Sequence, residues 1–442
     1  MDKLDLIFYK NTFINREIAF ILDIKYDYID DIKEYNYKKK LFVSDIKMLP
    51  DLEKNNLKKK DYLVMEDLYD YFDEIQGEAL NDSRDLEEIN NIPIYNLSLT
   101  QMLIKVLYSK PRNINCRILE EEANIDMYGN VWGCCPTWTG KTFGNILSDD
   151  VYNNYIGRML KLSSMNKTFC FCFLNMCKNY DKPFLTNFDD NIDLKFIKIP
   201  KQLTLSIDRT CNLRCKSCRT EYYKQSLFES IKSFEIIEKM KEMGWLNNSC
   251  LLIAGQGEAF FSPIYLKILE DDSITGDTIK IMSNGVLFTE DKWQLLEKKY
   301  KNIYVAISID AASKDVYAKL RRGNFDVLLK NLEMLGKKRK QEKIVSYQFN
   351  FVVQKENMND MLSFIELAKR FNVDIVKFTK LNDWGTTSLE EYKENSLLTS
   401  DDCLTLELYN LFKNPLFKEK IVDISDFDTY LENSRKKYEI KA

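Results

Sequence analysis

The chain has 442 residues, 45% of them apolar and 30% charged, which is enough for two or three separate hydrophobic cores. A net charge of −4 with both signs interspersed gives no general electrostatic case for nucleic acid or an anionic membrane. The absence of histidine excludes imidazole metal ligands and the usual near-neutral acid–base group, so any metal must be held by thiolate, carboxylate or backbone oxygen.

The first residues, MDKLDLIFYKNTFINREIAF, lack a cationic start, a long apolar run and a small-residue cleavage site. With no uninterrupted apolar stretch long enough to span a bilayer, a cytoplasmic protein is expected. Residues 1–110 contain a single glycine, Gly77, and alternate β-rich runs (IAFILDI, KLFVSDI) with helix-like stretches such as DYLVMEDLYDYFDEI. That pattern predicts a small α/β domain without a phosphate-cradling turn.

Residues 111–182 carry six cysteines and the turn signals Tyr-Gly-Asn, Trp-Gly and Thr-Gly-Lys, a composition unlike a helical bundle. Nine of the 11 cysteines fall between Cys116 and Cys218. In a cytosolic chain such grouping points to metal thiolates more than to disulfides. Residues 183–200 read as a linker.

From residue 201 the pattern becomes regular. The strands LTLSID, CLLIAG, TIKIMSNG, IYVAISID, VSYQFNFVVQ and VDIVKFTK alternate with helical segments as far as residue 385. Six such alternations predict a parallel α/β sheet, open or closed as a barrel, with functional residues beyond the strand C-termini. Residues 386–442 are predicted to be a helical, polar tail.

The sharpest chemical signal is Cys211-Asn-Leu-Arg-Cys215-Lys-Ser-Cys218, directly after LTLSIDRT. Three thiolates at this spacing can ligate three irons of a cubane and leave the fourth open for a ligand. A zinc site would need a fourth ligand nearby, with no histidine to supply it. Companion groups follow successive strands: Gly255-Gln256-Gly257-Glu258, Ser283-Asn284-Gly285, Ser308-Ile309-Asp310, and Arg321-Arg322-Gly323.

These motifs, over roughly residues 200–381, resemble the radical S-adenosylmethionine (SAM) superfamily, whose core is a partial (β/α)6 TIM-type barrel. The resemblance implies that Cys211, Cys215 and Cys218 hold a [4Fe–4S] cluster whose open iron chelates the methionine end of SAM. Gly255 and Gly257 would admit the cofactor, and Glu258 would receive its ammonium. Ser283 and Asn284 would lie near its ribose. Ser308, Asp310 and Arg321 would complete the cofactor contacts, with Asn350, Gln354 and Asn382 as further candidates. The implied activity is reductive SAM cleavage to a 5′-deoxyadenosyl radical that activates a C–H bond, fed by a flavodoxin- or ferredoxin-type reductant.

Upstream, Cys116-x12-Gly129-x4-Cys134, the hairpin sequence IDMYGNVWGCC and Phe143-Gly-Asn-Ile146 resemble the opening of the SPASM/twitch auxiliary-cluster module. The second half, Cys170-Phe-Cys172-x4-Cys177, has fewer cysteines than that module, and the order is inverted, because the module normally follows the barrel. The resemblance implies one auxiliary [4Fe–4S] cluster with ligands among Cys116, Cys134, Cys170, Cys172 and Cys177; a structural zinc site is the alternative.

Two substrate classes stand open. Enzymes with auxiliary clusters often modify peptides. Residues 1–110, however, resemble degraded nucleotide-fold modules of glycan clusters, which implies a sugar or sugar-nucleotide substrate. A non-catalytic iron–sulfur electron carrier or scaffold is the reading from a different class. Neither nucleic acid nor membrane is expected as a partner.

Overall fold

The computed structural model describes residues 6–10, 16, 19, 27–36, 38, 40–43, 57, 62–64, 88, 89, 92, 93, 121–134, 139, 142–148, 151, 157, 160, 161, 163, 164, 169, 172, 199–219, 221–253, 257–383 and 387–439. The chain divides into two compact units. The first comprises residues 1–120, 132–144 and 148–198. Within it β1 (Leu6–Tyr9), β2 (Tyr28–Ile29), β3 (Lys40–Val43) and β4 (Tyr62–Val64) form an all-parallel sheet in the order β2-β1-β3-β4. Ile29, Tyr35, Leu41 and Leu57 form a small core there. β5 (Glu88–Ile89) and β6 (Ile92–Pro93) pair as an antiparallel ribbon.

The second unit comprises residues 121–131, 145–147 and 199–442. A hairpin opens it: β7 (Glu122–Asp126) turns through Gly129 into β8 (Val131–Trp132). Gly129 sits at φ +84°, in the left-handed region that favours glycine, and its N–H donates to the Asp126 carbonyl at 3.0 Å. The hairpin expected around Gly129 is therefore present.

Six strands then succeed one another in the sheet: β9 (Gln202–Ser206), β10 (Cys250–Ile253), β11 (Gly276–Ser283), β12 (Tyr300–Ser308), β13 (Ser346–Val353) and β14 (Ile375–Lys380). Every neighbouring pair in this run is parallel. Crossovers run through α1 (Leu227–Glu242), α2 (Trp245–Asn248), α3 (Pro263–Glu270), α4 (Glu290–Lys299), α5 (Lys314–Leu320), α6 (Phe325–Lys340) and α7 (Met361–Arg370).

Local chemistry sets these boundaries. Ser226 and Glu229 form a reciprocal capping box at the start of α1. Ser262 caps α3, with Pro263 in the first turn, and the Asn324 side chain accepts from two N–H groups at the start of α6.

Alternation along the strands divides the sheet into two faces. Leu203, Leu205, Leu251, Ile253, Ile279, Ile281, Val305, Ile307, Phe349, Phe351, Val376 and Phe378 are all buried. Phe364 of α7 stacks against Phe349, Phe351 and Phe378, which ties that helix to β13 and β14. Residues between these positions, such as Thr204, Tyr304 and Gln348, are half-exposed. An α/β fold with a mostly parallel sheet, as expected, is what the chain adopts.

Three strands extend the six, β8 by way of its hairpin with β7. β7 pairs in parallel with β9, with Ala123 opposite Leu203 and Ile125 opposite Leu205. The sequence boundaries assign residues 122–126 to the cysteine-rich region, but their buried Ala and Ile belong to the core sheet. At the other edge β15 (Val422–Asp423) pairs in parallel with β14. The segment expected to be a helical tail thus contributes a strand as well as α8 (Leu389–Asn395), α9 (Leu406–Leu411) and α10 (Asp428–Tyr438). Among the described residues, no helix is long and apolar enough to cross a membrane.

Candidate active site

The candidate residues of the second unit gather where β9 to β14 end. β9 runs out through Asp208, which is fully buried and anchors the cysteine loop. One carboxylate oxygen of Asp208 accepts from Thr210 N and Thr210 Oγ1, both at 2.8 Å, and the other accepts from Ser262 Oγ. Ser262 is also the cap of α3, so the loop and that helix are fixed by one carboxylate. Sequence reading missed this role of Asp208. An acid at the end of an apolar strand, where burial without partners would be costly, was the available signal.

Gly257 packs against the same segment. A Cβ there would meet the Asp208 carbonyl oxygen at 2.5 Å and that of Thr210 at 3.1 Å. The glycine is accounted for by this backbone approach to the loop, where the sequence had suggested an approach to a cofactor. Gly255 lies outside the described residues.

Within the loop, Cys215 is buried, Cys211 half-buried and Cys218 exposed. The Cys218 N–H donates to the Cys215 carbonyl at 3.1 Å, and Leu213 N–H donates to Cys211 Sγ at 3.4 Å. Lys216 N–H donates to the Leu320 carbonyl at 2.8 Å, which fastens the loop to the end of α5. Burial pushes the Cys215 thiol up to about 11 against the pull of Arg321, and burial raises Cys211 as well. Among the described residues no group of three or more Cys, Asp or Glu is close enough to hold a metal ion.

The donor chemistry nevertheless fits an iron–sulfur group. Three thiols share one short loop, and Cys215 feels the charges of both Cys211 and Cys218. The desolvation that disfavours thiolates here is what a bound cationic centre would offset.

Glu258 follows, only 2% exposed. It accepts from Ser283 Oγ at 2.6 Å, Asn284 N at 2.7 Å and Phe260 N at 3.3 Å. None of these donors is a cation, and burial raises the carboxyl above its ordinary range. Ser283 and Asn284, expected beside a ribose, hold this carboxylate at the end of β11. Asn284 also reaches the cysteine loop, donating from Nδ2 to Asn212 Oδ1 at 2.8 Å, with Cys211 Sγ at 3.9 Å. Gly285 makes the turn at φ +77°, where a Cβ would meet Leu328 at 2.6 Å.

At the end of β12, Ser308 stands opposite Asn350 of β13 on the half-exposed face. Asp310 adopts φ +63°, a strained conformation for a residue other than glycine. Three contacts hold it. Arg321 Nη1 donates to Oδ2 at 2.9 Å, Val352 N to Oδ1 at 2.8 Å, and Asn357 Nδ2 to the Asp310 carbonyl at 2.9 Å. Arg321 is only 12% exposed, and its Nε is buried without a hydrogen-bond partner. The neighbouring Arg322 has no such tie, so the structure separates two arginines that the sequence leaves equivalent.

A small pocket, open to solvent, lies between the cysteine loop and the ends of β13 and β14. Lys216, Ser217, Gln354, Asn382, Tyr392 and Asn395 are among the residues lining it. Lys216 bridges Glu356 at 2.9 Å and Glu391 at 3.3 Å along its side.

Of the upstream cysteines, Cys134 and Cys172 belong to the first unit and are half-buried. Cys172 pairs with Thr139 in an antiparallel bridge, and its N–H donates to the Phe169 carbonyl at 3.0 Å. Cys116, Cys170 and Cys177 lie outside the described residues.

Comparison with known proteins bears on the core. Residues 205–368 match the family model of the radical SAM superfamily. Over 140 residues the chain is 26% identical to AlbA, the antilisterial bacteriocin subtilosin biosynthesis protein of Bacillus subtilis (strain 168); the match covers 31% of each protein. Among solved structures, Streptococcus suis SuiB bound to the precursor peptide SuiA is similar with 14% identity and a TM-score of 0.37, over 54% of this chain and 52% of that one. Native anSMEcpe with bound AdoMet is similar with 17% identity and a TM-score of 0.36, over 51% and 64% of the two chains. The chain thus spans about a third of AlbA and about half of SuiB. Residues 205–368 thus match a radical SAM superfamily domain.

Proposed function

We propose that this chain cleaves SAM reductively and turns the resulting 5′-deoxyadenosyl radical on a C–H bond of a peptide. The carrying observation is the pair of groups around the cysteine loop. A buried Glu258 has neutral donors and, among the described residues, no ion pair, and a buried Arg321 has a spare Nε. A zwitterion fits between them, its ammonium toward Glu258 and its carboxylate toward Arg321.

Cys211, Cys215 and Cys218 would hold a [4Fe–4S] cluster, which when bound supplies the electron for C–S cleavage. The protein's own work is positional. Asp208 fixes the loop, Ser283 and Asn284 aim Glu258, and Asp310 aims Arg321. The pocket beside Ser217 adjoins the cysteine loop, and the almost fully buried Gln354 is among its lining residues. With histidine absent, any acid, base or hydrogen donor on the substrate side is a cysteine, tyrosine, lysine or carboxylate.

The peptide class rests on AlbA, whose name places it in bacteriocin biosynthesis. In the first unit we propose one auxiliary [4Fe–4S] cluster, with ligands among Cys116, Cys134, Cys170, Cys172 and Cys177. Zinc without iron in the triple variant described next would refute that cluster.

The test is anaerobic reconstitution followed by SAM and dithionite, with 5′-deoxyadenosine read by mass spectrometry. Wild-type protein forms it, and the Cys211→Ala/Cys215→Ala/Cys218→Ala variant does not. Equal formation by both would remove the loop from the chemistry.

A further inference from the structure

Tyr317, in the middle of α5, is fully buried, and its hydroxyl has no hydrogen-bond partner among the described residues. Leaving a buried hydroxyl unmet is costly, which directs attention to what could meet it. Tyr300 and Tyr347 also lack a partner, but they stand at the starts of β12 and β13, at the opposite end of the strands from the cysteine loop.

The surroundings of Tyr317 belong to the candidate site. A Cβ on Gly323 would meet Tyr317 Oη and Leu213 Cδ2 at 3.2 Å each, so the hydroxyl end of the ring lies where the cysteine loop packs on the turn after α5. Phe325 of α6 holds the ring, with centroids 5.2 Å apart. The loop is tied to the same helix end twice. Lys216 N–H donates to the Leu320 carbonyl at 2.8 Å, and Cys215 Sγ lies 3.8 Å from the Arg321 carbonyl.

Elimination narrows the acceptor. The charged groups that act on Tyr317 are Arg321, Cys215, Asp310 and Glu258. Arg321 carries donors only. Asp310 already accepts from Arg321 and Val352, and Glu258 from Phe260, Ser283 and Asn284. The sulfur side of Cys215 is what is left. Burial also raises the hydroxyl above its ordinary range, so it keeps its proton and stays a donor.

We propose that the Tyr317 hydroxyl donates a hydrogen bond to sulfur on the Cys215 side of the loop-bound cluster, and thereby raises the reduction potential of that cluster. The proposal rests on the reading that Cys211, Cys215 and Cys218 hold a [4Fe–4S] cluster. A proton directed at sulfur stabilises the more negative, reduced state more than the oxidised one. Tyr317 itself is neither oxidised nor deprotonated.

The experiment uses the full chain, reconstituted anaerobically as wild type, Tyr317→Phe and Tyr347→Phe. Each is titrated reductively without SAM, following the [4Fe–4S]⁺ resonance that the Cys211→Ala/Cys215→Ala/Cys218→Ala variant lacks. At a fixed potential the ratio of reduced to oxidised cluster should fall about tenfold in Tyr317→Phe, which is about 59 mV in the midpoint for one electron. Pulsed electron–nuclear double resonance should show one exchangeable-proton coupling in wild type that is lost in Tyr317→Phe. Tyr347→Phe, which removes a buried hydroxyl far from the loop, should keep the wild-type midpoint. An unchanged midpoint in Tyr317→Phe, or an equal shift in Tyr347→Phe, overturns the proposal. If the midpoint holds and SAM binding weakens instead, the hydroxyl serves the carboxylate of SAM, and the proposal is likewise overturned. A wild-type chain that assembles no cluster at this loop sinks the underlying reading and this proposal with it; a cluster whose midpoint ignores Tyr317 sinks this proposal alone.

Discussion

Glu258, beyond β10, and Asp310, beyond β12, are both almost fully buried carboxylates, yet their surroundings are opposite. Glu258 faces two backbone N–H groups and a hydroxyl, and burial raises its pKa. Asp310 is already neutralised by Arg321, and its backbone is held at a strained positive φ. Among the described residues, one half of the site is a carboxylate with no ion pair; the other is a cation with a spare donor. The difference teaches that the two halves are prepared for the two ends of a zwitterion, and it can be broken from either side.

The largest effect is expected on the Asp310 side. Arg321→Met leaves a buried carboxylate unpaired and should cost about 3–5 kcal/mol of stability, read as a lowered urea midpoint. Asp310→Asn/Arg321→Met should regain part of that loss, because asparagine tolerates the left-handed conformation and needs no cation. The double variant should still bind SAM poorly. Full recovery of SAM binding would break the comparison.

On the Glu258 side the effect falls on affinity. Glu258→Gln removes the charged acceptor and should weaken SAM binding about 10- to 100-fold. The pH dependence has a definite sign. A carboxyl raised by burial keeps its proton longer in the ligand-free fold, so the folded state binds more protons than the unfolded one there. Stability from this group is fully present below the ordinary carboxylate pKa and is lost as pH rises through the elevated one. SAM affinity should therefore rise with pH over that interval in the wild type and stay flat in Glu258→Gln. The smallest change is expected from Gln354→Ala, about 2- to 10-fold in SAM affinity, since one neutral hydrogen-bonding amide is removed.

Much of this core was legible because its strands bury one face and leave the other half-exposed. SYQFNF alternates polar and apolar residues, and the structure alternates with it. Less legible were pairings distant in sequence. EANID, residues 122–126, alternates like a strand, but nothing in it announces that its partner lies eighty residues later. β15, two residues long, carries no alternation. Spacing placed Glu258 after one strand and Arg321 on the helix that follows another, but Asp208 and Ser262 act through each other across three-dimensional space, which spacing does not encode. Gly257 was recognised as a glycine that must be one, though its reason is the neighbouring loop carbonyl.

The most direct test is electron paramagnetic resonance of the reduced, anaerobically reconstituted chain before and after adding SAM, beside the triple cysteine-to-alanine variant. A [4Fe–4S]⁺ signal that shifts with SAM in the wild type and is missing from the variant is the predicted result. A wild-type spectrum indifferent to SAM, or a SAM-responsive signal surviving without Cys211, Cys215 and Cys218, would contradict it.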